Sequence, residues 1–99
     1  MKFEARFCKK GILKYISHLD MLRLFQRAVR RAGLPVALSS GYTPHYRIAF
    51  ERALKLGIES ENEKIIFTME EWVDPEEFKM RINEKLQEGI KVLECKKRF

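Results

Sequence analysis

Residues 16–35 read ISHLDMLRLFQRAVRRAGLP, and the rest of the chain can be read outward from this stretch. Ser17 is a good helix N-cap, because its hydroxyl accepts from a backbone N–H that the first turn leaves unpaired. Asp20 sits three residues later in a capping-box-like position. Ile16, ahead of the cap, is placed to pack on Met21 as a hydrophobic staple. Gly33 supplies a left-handed stop, and Pro35 beyond it cannot continue a helix. The signals predict a helix over His18 to Ala32. At about 100° per residue, Met21, Leu22, Phe25, Ala28, Val29 and Ala32 share one face, predicted to be the buried one. Arg23, Arg27, Arg30 and Arg31 share the other, and Leu19 is predicted to lie toward them.

On the N-terminal side, Phe3, Ala5 and Phe7 alternate with Glu4, Arg6 and Cys8. That is the period of a strand with one face buried. Lys9-Lys10-Gly11 turns the chain toward the helix. On the C-terminal side, Val36-Ala37-Leu38 is a short extended piece, and residues 39–45 form a loop marked by Gly41 and Pro44. Tyr46, Ile48 and Phe50 alternate with Arg47, Ala49 and Glu51, which predicts a second strand. Residues 52–62 connect, with Gly57 at a turn. Ile65, Phe67 and Met69 predict a third strand over about residues 64–71.

A second helix is signalled by Asp74 at the N-cap, Pro75 at the first position and Glu77 at the third. Val73 and Phe78 are its staple pair. Phe78, Ile82 and Leu86 are its apolar stripe, and Gly89 is its expected end. Residues 90–95 are the fourth strand, followed by a basic tail, Lys96-Lys97-Arg98. The order βαββαβ is that of a ferredoxin-like fold. The predicted class is therefore α+β, a two-layer sandwich with an antiparallel sheet in the order 4-1-3-2. Ninety-nine residues make a single domain of this kind.

Charge is distributed unevenly. Residues 1–55 hold 12 Lys and Arg against 3 Asp and Glu, whereas residues 56–99 hold 8 against 11; the net charges of +9 and −3 sum to +6. A segregated positive half favours a polyanion or an acidic protein as partner. There is no apolar run near the ~20 residues needed to span a bilayer, and no signal-peptide pattern at the start, so a cytoplasmic protein is expected. Cys8 and Cys95 have no CxxC spacing. In the predicted sheet order they lie near opposite ends of neighbouring strands, too far apart for a disulfide.

The stretch from Arg6 to Glu63 resembles the bacterial radical SAM-linked proteins, a family of unknown biochemical function. The resemblance rests on Ile16-Ser17-His18-Leu19-Asp20, Arg30-Arg31-Ala32-Gly33-Leu34-Pro35 and Gly41-Tyr42-Thr43-Pro44-His45. Lys9-Lys10-Gly11 and Leu54-Lys55-Leu56-Gly57 support it. Thr43 stands where the family usually has asparagine. The resemblance implies a ferredoxin-like domain and a role beside a radical SAM enzyme, whose genes adjoin or are fused to those of family members. It supplies no catalytic residue and no cofactor for this chain. Members are about twice as long, so the resemblance implies either a short form or the N-terminal half of a longer member.

The leading expectation is a non-catalytic accessory domain that contacts RNA or phosphate beside a radical SAM enzyme; the alternatives are a small metal-independent ribonuclease using His18 and His45 and a domain that docks only protein. The arginine stripe Arg23, Arg27, Arg30 and Arg31 places several cations on one rigid face, as phosphate binding in RNA requires. No acidic residue within the helix after Asp20 offsets them; the alternative is an ordinary solvated face. His18, Tyr42, His45 and Arg47 would surround an anion if the Gly-Pro loop folds over the helix start. His18 and His45 would then also have the types needed for metal-independent RNA cleavage by acid and base; the alternative is that both are structural. Phe3, Phe7 and Phe67 have core parity, which argues against base stacking on the open sheet face. Asp20 and the two histidines lack metal-ligand spacing, so no metal is expected.

Overall fold

The computed structural model describes residues 1–98; Phe99, the last residue of the expected domain, lies outside the described residues. Strand β1 is Lys2–Lys9, helix α1 His18–Ala32, β2 Ile48–Phe50, β3 Ser60–Thr68, α2 Pro75–Asn83 and β4 Ile90–Arg98, with a 3-10 turn at Gly11–Tyr15. One four-stranded sheet has the order β2-β3-β1-β4, and every pairing is antiparallel. The fold is therefore α+β, with a layout compatible with a ferredoxin-like sandwich.

The odd positions of β1 face the helices. Phe3, Ala5 and Phe7 are fully buried, with Ile65 and Phe67 of β3 and Val92 of β4. They meet Met21, Phe25 and Val29 of α1 and Phe78 and Ile82 of α2 in one cluster. Its aromatic rings pack edge to face: Phe67 on Phe78 at 4.9 Å and Phe7 on Phe25 at 5.0 Å. Each such pair contributes about 0.5–1.5 kcal/mol beyond the area it buries.

Both helix starts follow the sequence signals. The Ser17 hydroxyl accepts from the Asp20 N–H, and the Asp74 carboxylate accepts from the Glu76 N–H. Gly33 ends α1 at φ 64°, a left-handed conformation that favours glycine. The buried stripe of α1 contains Leu24 and not Leu22, which is half-buried and does not join the core. The reason is geometric. At about 100° per residue, residues 21, 24, 25, 28 and 29 form one band, and Leu22 sits just outside its edge.

Other boundaries differ from expectation. Helix α2 stops at Asn83, not near Gly89. The Asn83 amide turns to β4 instead, accepting from the Val92 N–H at 2.8 Å and donating to the Val92 carbonyl at 2.9 Å. Strand β3 begins at Ser60 and ends at Thr68, because β1 extends to Lys9 and pairs with Ser60 beyond a bulge. The basic tail is not a tail: Lys96, Lys97 and Arg98 belong to β4 and pair with Glu4, Phe3 and Lys2. Cys95 pairs with Ala5, three positions from Cys8 along β1, and not the five estimated from sequence. That is still about 10 Å, beyond disulfide reach, and both thiols are free.

The segment before β2 is tied down on both sides. Val36 bridges to Met69 and Leu38 to Tyr46. On the outer side, the Gln26 amide of α1 donates to the Tyr46 carbonyl at 2.7 Å and accepts from the Tyr46 N–H at 2.8 Å. A side chain thus replaces the strand neighbour that Tyr46 lacks.

Candidate anion and nucleic-acid interface

Helix α1 lies on one face of the sheet, so its opposite face meets solvent. Arg23, Arg27, Arg30 and Arg31 are all exposed. Taken at about 100° per residue, they cover an arc of about 100°. Arg23 pairs with Asp20 on its own helix at 3.4 Å. Among the described residues, Arg27, Arg30 and Arg31 have no ion pair. The carbonyls at the end of α1 do not engage them either, because Arg81 of α2 donates to Ala32 at 2.8 Å and to Gly33 at 2.9 Å. The acidic second half of the chain therefore supplies a guanidinium to this helix end and leaves the arginine face unneutralised.

The residues expected to surround an anion fall into three places. His45 and Arg47 share a shallow cleft of about 390 Å³ with Lys2, Ser39 and Thr68. It opens on the sheet face that carries no helix. Tyr42 is fully exposed at the tip of the preceding loop. His18 packs edge-on against Phe50 at 4.9 Å, and its Nδ1 accepts from the Leu54 N–H at 3.5 Å. The five steps from His45 to Phe50 cover roughly 16 Å of extended chain, so the two histidines lie toward opposite ends of β2.

Ser39 closes the loop beneath His45. Its hydroxyl accepts from the His45 N–H at 3.2 Å and lies 3.3 Å from Nδ1, while its own N–H donates to the His45 carbonyl at 2.8 Å. Lys2 and Thr68 pair across β1 and β3, and Arg98 pairs with Lys2 from β4. Lys2, Arg98, Ser39 and Thr68 were not singled out from the sequence. The parity of β1 already turned Lys2 outward, but only strand register sets it beside Thr68. The rest of the open face is occupied by opposed charges: Glu4 with Lys96 at 3.7 Å, Arg6 with Glu94 at 3.3 Å and Lys64 with Glu51 at 4.0 Å. Phe3, Phe7 and Phe67 are on the other face and fully buried, so they form no stacking platform for bases.

Among the described residues, no group of three His, Cys, Asp or Glu side chains is placed to hold a metal ion, and no helix is long and apolar enough to cross a membrane. The Cys95 thiol is pushed up to about 12, chiefly by desolvation, with the Glu76 carboxylate adding to the effect and Lys79 opposing it. The protonated thiol is thus favoured by folding. Its contribution to stability is present below the ordinary thiol range and is lost as pH rises from there toward about 12. We expect iodoacetamide at neutral or mildly alkaline pH to leave Cys95 unmodified in the native protein and to modify it after denaturation. Mass spectrometry of the labelled peptide checks this; prompt native labelling would contradict the burial described.

Fold and surface together define a small α+β domain of ferredoxin-like layout whose exposed helix and open sheet face both carry unneutralised cations. The chain belongs to a bacterial family described as "uncharacterized protein conserved in bacteria" (DUF2344), which matches residues 2–98. No curated protein and no solved structure matches it.

Proposed function

We propose that this protein is a non-catalytic accessory domain that contacts RNA or another phosphate polyanion and works beside a radical SAM enzyme in the cytoplasm. The observation that carries the polyanion half is the exposed arginine face of α1, with three of its four guanidiniums free of ion pairs among the described residues. Several fixed cations on one rigid element release counterions from a phosphate backbone, which is the main source of sequence-independent affinity. The Lys2, His45 and Arg47 cleft adds a second cationic contact. The enzyme partner follows from the resemblance carried by the Ser17–Asp20, Arg30–Pro35 and Gly41–His45 blocks. The separation of His18 from His45 gives no support to a two-histidine ribonuclease.

Fluorescence anisotropy with a labelled single-stranded RNA tests the reading. Binding should weaken linearly on a logarithmic salt scale, with a slope of about −0.7 for each phosphate contact. Absence of binding at low salt would overturn the RNA half. Cleavage of the RNA in EDTA that is lost in His18→Ala would turn the reading into an enzyme. Gel filtration with the recombinant radical SAM enzyme tests the partner half: co-elution supports it, and separate elution overturns it.

A further inference from the structure

The 3-10 turn Gly11–Tyr15 and the 56–58 segment expose four large apolar side chains on neighbouring stretches of chain. Ile12 is 84% exposed, Tyr15 62%, Leu56 65% and Ile58 53%. In a 3-10 turn, residues three apart eclipse. Ile12 and Tyr15 therefore share the outer side, while Leu13 and Ile16 pack against the core. Gly57 adopts φ 82°, and the Tyr15 ring lies 3.8 Å from where its Cβ would be. Leu56 and Ile58 flank that contact, which sets them beside Tyr15, with Ile12 one 3-10 turn further on. Contiguous apolar surface of this kind on a small protein usually marks an interaction site.

The patch is fixed in place. The Gly57 N–H donates to the Lys14 carbonyl at 2.7 Å, and the Gly11 N–H donates to the Glu59 carboxylate at 2.7 Å. Beneath the connection, Lys9 is fully buried and its ammonium donates to the Lys55 carbonyl. The Leu54 N–H reaches His18. A surface held this way loses little conformational freedom on binding.

Its rim is mixed in charge, with cations grouped on one part of it. Lys14 sits 5.2 Å over the Tyr15 ring, and Arg52 and Lys55 are exposed. None of the three has an ion pair among the described residues. Two nearby carboxylates are already engaged: Glu59 by Gly11, and Glu61 by Lys10 at 2.6 Å, a contact that holds Glu61 below the usual carboxylate range. Glu63 and Glu88 stand at the two margins.

From this arrangement we infer that the patch docks a segment of another protein that offers apolar side chains to Ile12, Tyr15, Leu56 and Ile58 and carboxylates to Lys14, Arg52 and Lys55. A polynucleotide would match the rim but not the aliphatic centre. An anionic bilayer would match both, but it would press its headgroups on Glu59, Glu61 and Glu63 at the border. A discrete segment places its carboxylates only where the cations are. This inference does not rest on RNA binding by α1.

The probe is a synthetic amphipathic helix of about 15 residues, with leucines on one face and glutamates on the other, titrated into the isotope-labelled full chain. Amide shifts should concentrate at residues 11–16 and 52–58. Ile12→Ser and Leu56→Ser, both at exposed positions, should each weaken binding about fivefold or more, while Arg27→Ala with Arg30→Ala should leave it unchanged. The inference is overturned if the probe causes no shifts or if the same helix with lysines for glutamates binds equally well. It is overturned in favour of a bilayer if phosphatidylcholine–phosphatidylglycerol vesicles bind through these residues and the peptide does not. It is overturned in favour of a second copy if self-association in sedimentation is abolished by Leu56→Ser.

Discussion

Replacing Arg27, Arg30 and Arg31 together by alanine is expected to weaken RNA binding about a hundredfold at 0.1 M salt and to flatten its salt dependence by about two units of slope. Each phosphate contact contributes a factor of about five under these conditions, and three such contacts multiply. The substitutions should not disturb the fold. All three positions are exposed, none makes an ion pair among the described residues, and alanine is the better helix former. Arg81, which takes the terminal carbonyls of α1, is left in place. A control set at residues of the apolar patch should bind RNA as the wild type does. Affinity within about twofold of wild type and an unchanged slope would show that the arginine face is solvated surface and nothing more.

Phe67→Ala is expected to be the most damaging single substitution for stability. The ring is fully buried near the C-terminal end of β3, and it packs on Phe78 at 4.9 Å and Phe25 at 6.3 Å. It therefore joins the sheet to both helices. Truncating a ring in such a place costs about 3–5 kcal/mol, against a total of about 5–15 kcal/mol for a domain of this size. A fall in Tm of about 15–30 °C should follow. Thermal unfolding followed by circular dichroism checks this, and a fall of only a few degrees would mean that the two helices are held to the sheet by other contacts.

Much of this architecture was legible in the chain because its local signals agree. Ser17 and Gly33 bracket α1 as the capping rules require, Asp74 and Pro75 start α2, and the alternation of Phe3, Ala5 and Phe7 matches their burial. What the sequence hid depends on neighbours remote along the chain. Leu22 and Leu24 are equally apolar, and only the direction in which α1 packs decides between them. Helix α2 stops at Asn83, whose amide serves both backbone groups of Val92, nine residues away. The basic end of β4 looked like a tail because charged residues carry no buried face; pairing with β1 supplies what periodicity does not. The site divides in the same way. The arginine stripe is a property of one helix and is visible in its spacing. The position of His18 relative to His45 is set by the path of β2, and the sequence offers no measure of that path.

A sheet can recruit a further strand only along a rim whose backbone groups are unsatisfied. On the β2 rim, both groups of Tyr46 are spent on Gln26, so the arginine helix itself closes that rim at this position. On the far rim, along β4, the Asn83 amide of α2 likewise takes both backbone groups of Val92, and Lys91, Glu94 and Lys96 add charges that discourage indiscriminate strand addition. One carboxamide from each helix thus blunts each border of the sheet, which leaves neither as an uninterrupted template for an incoming strand.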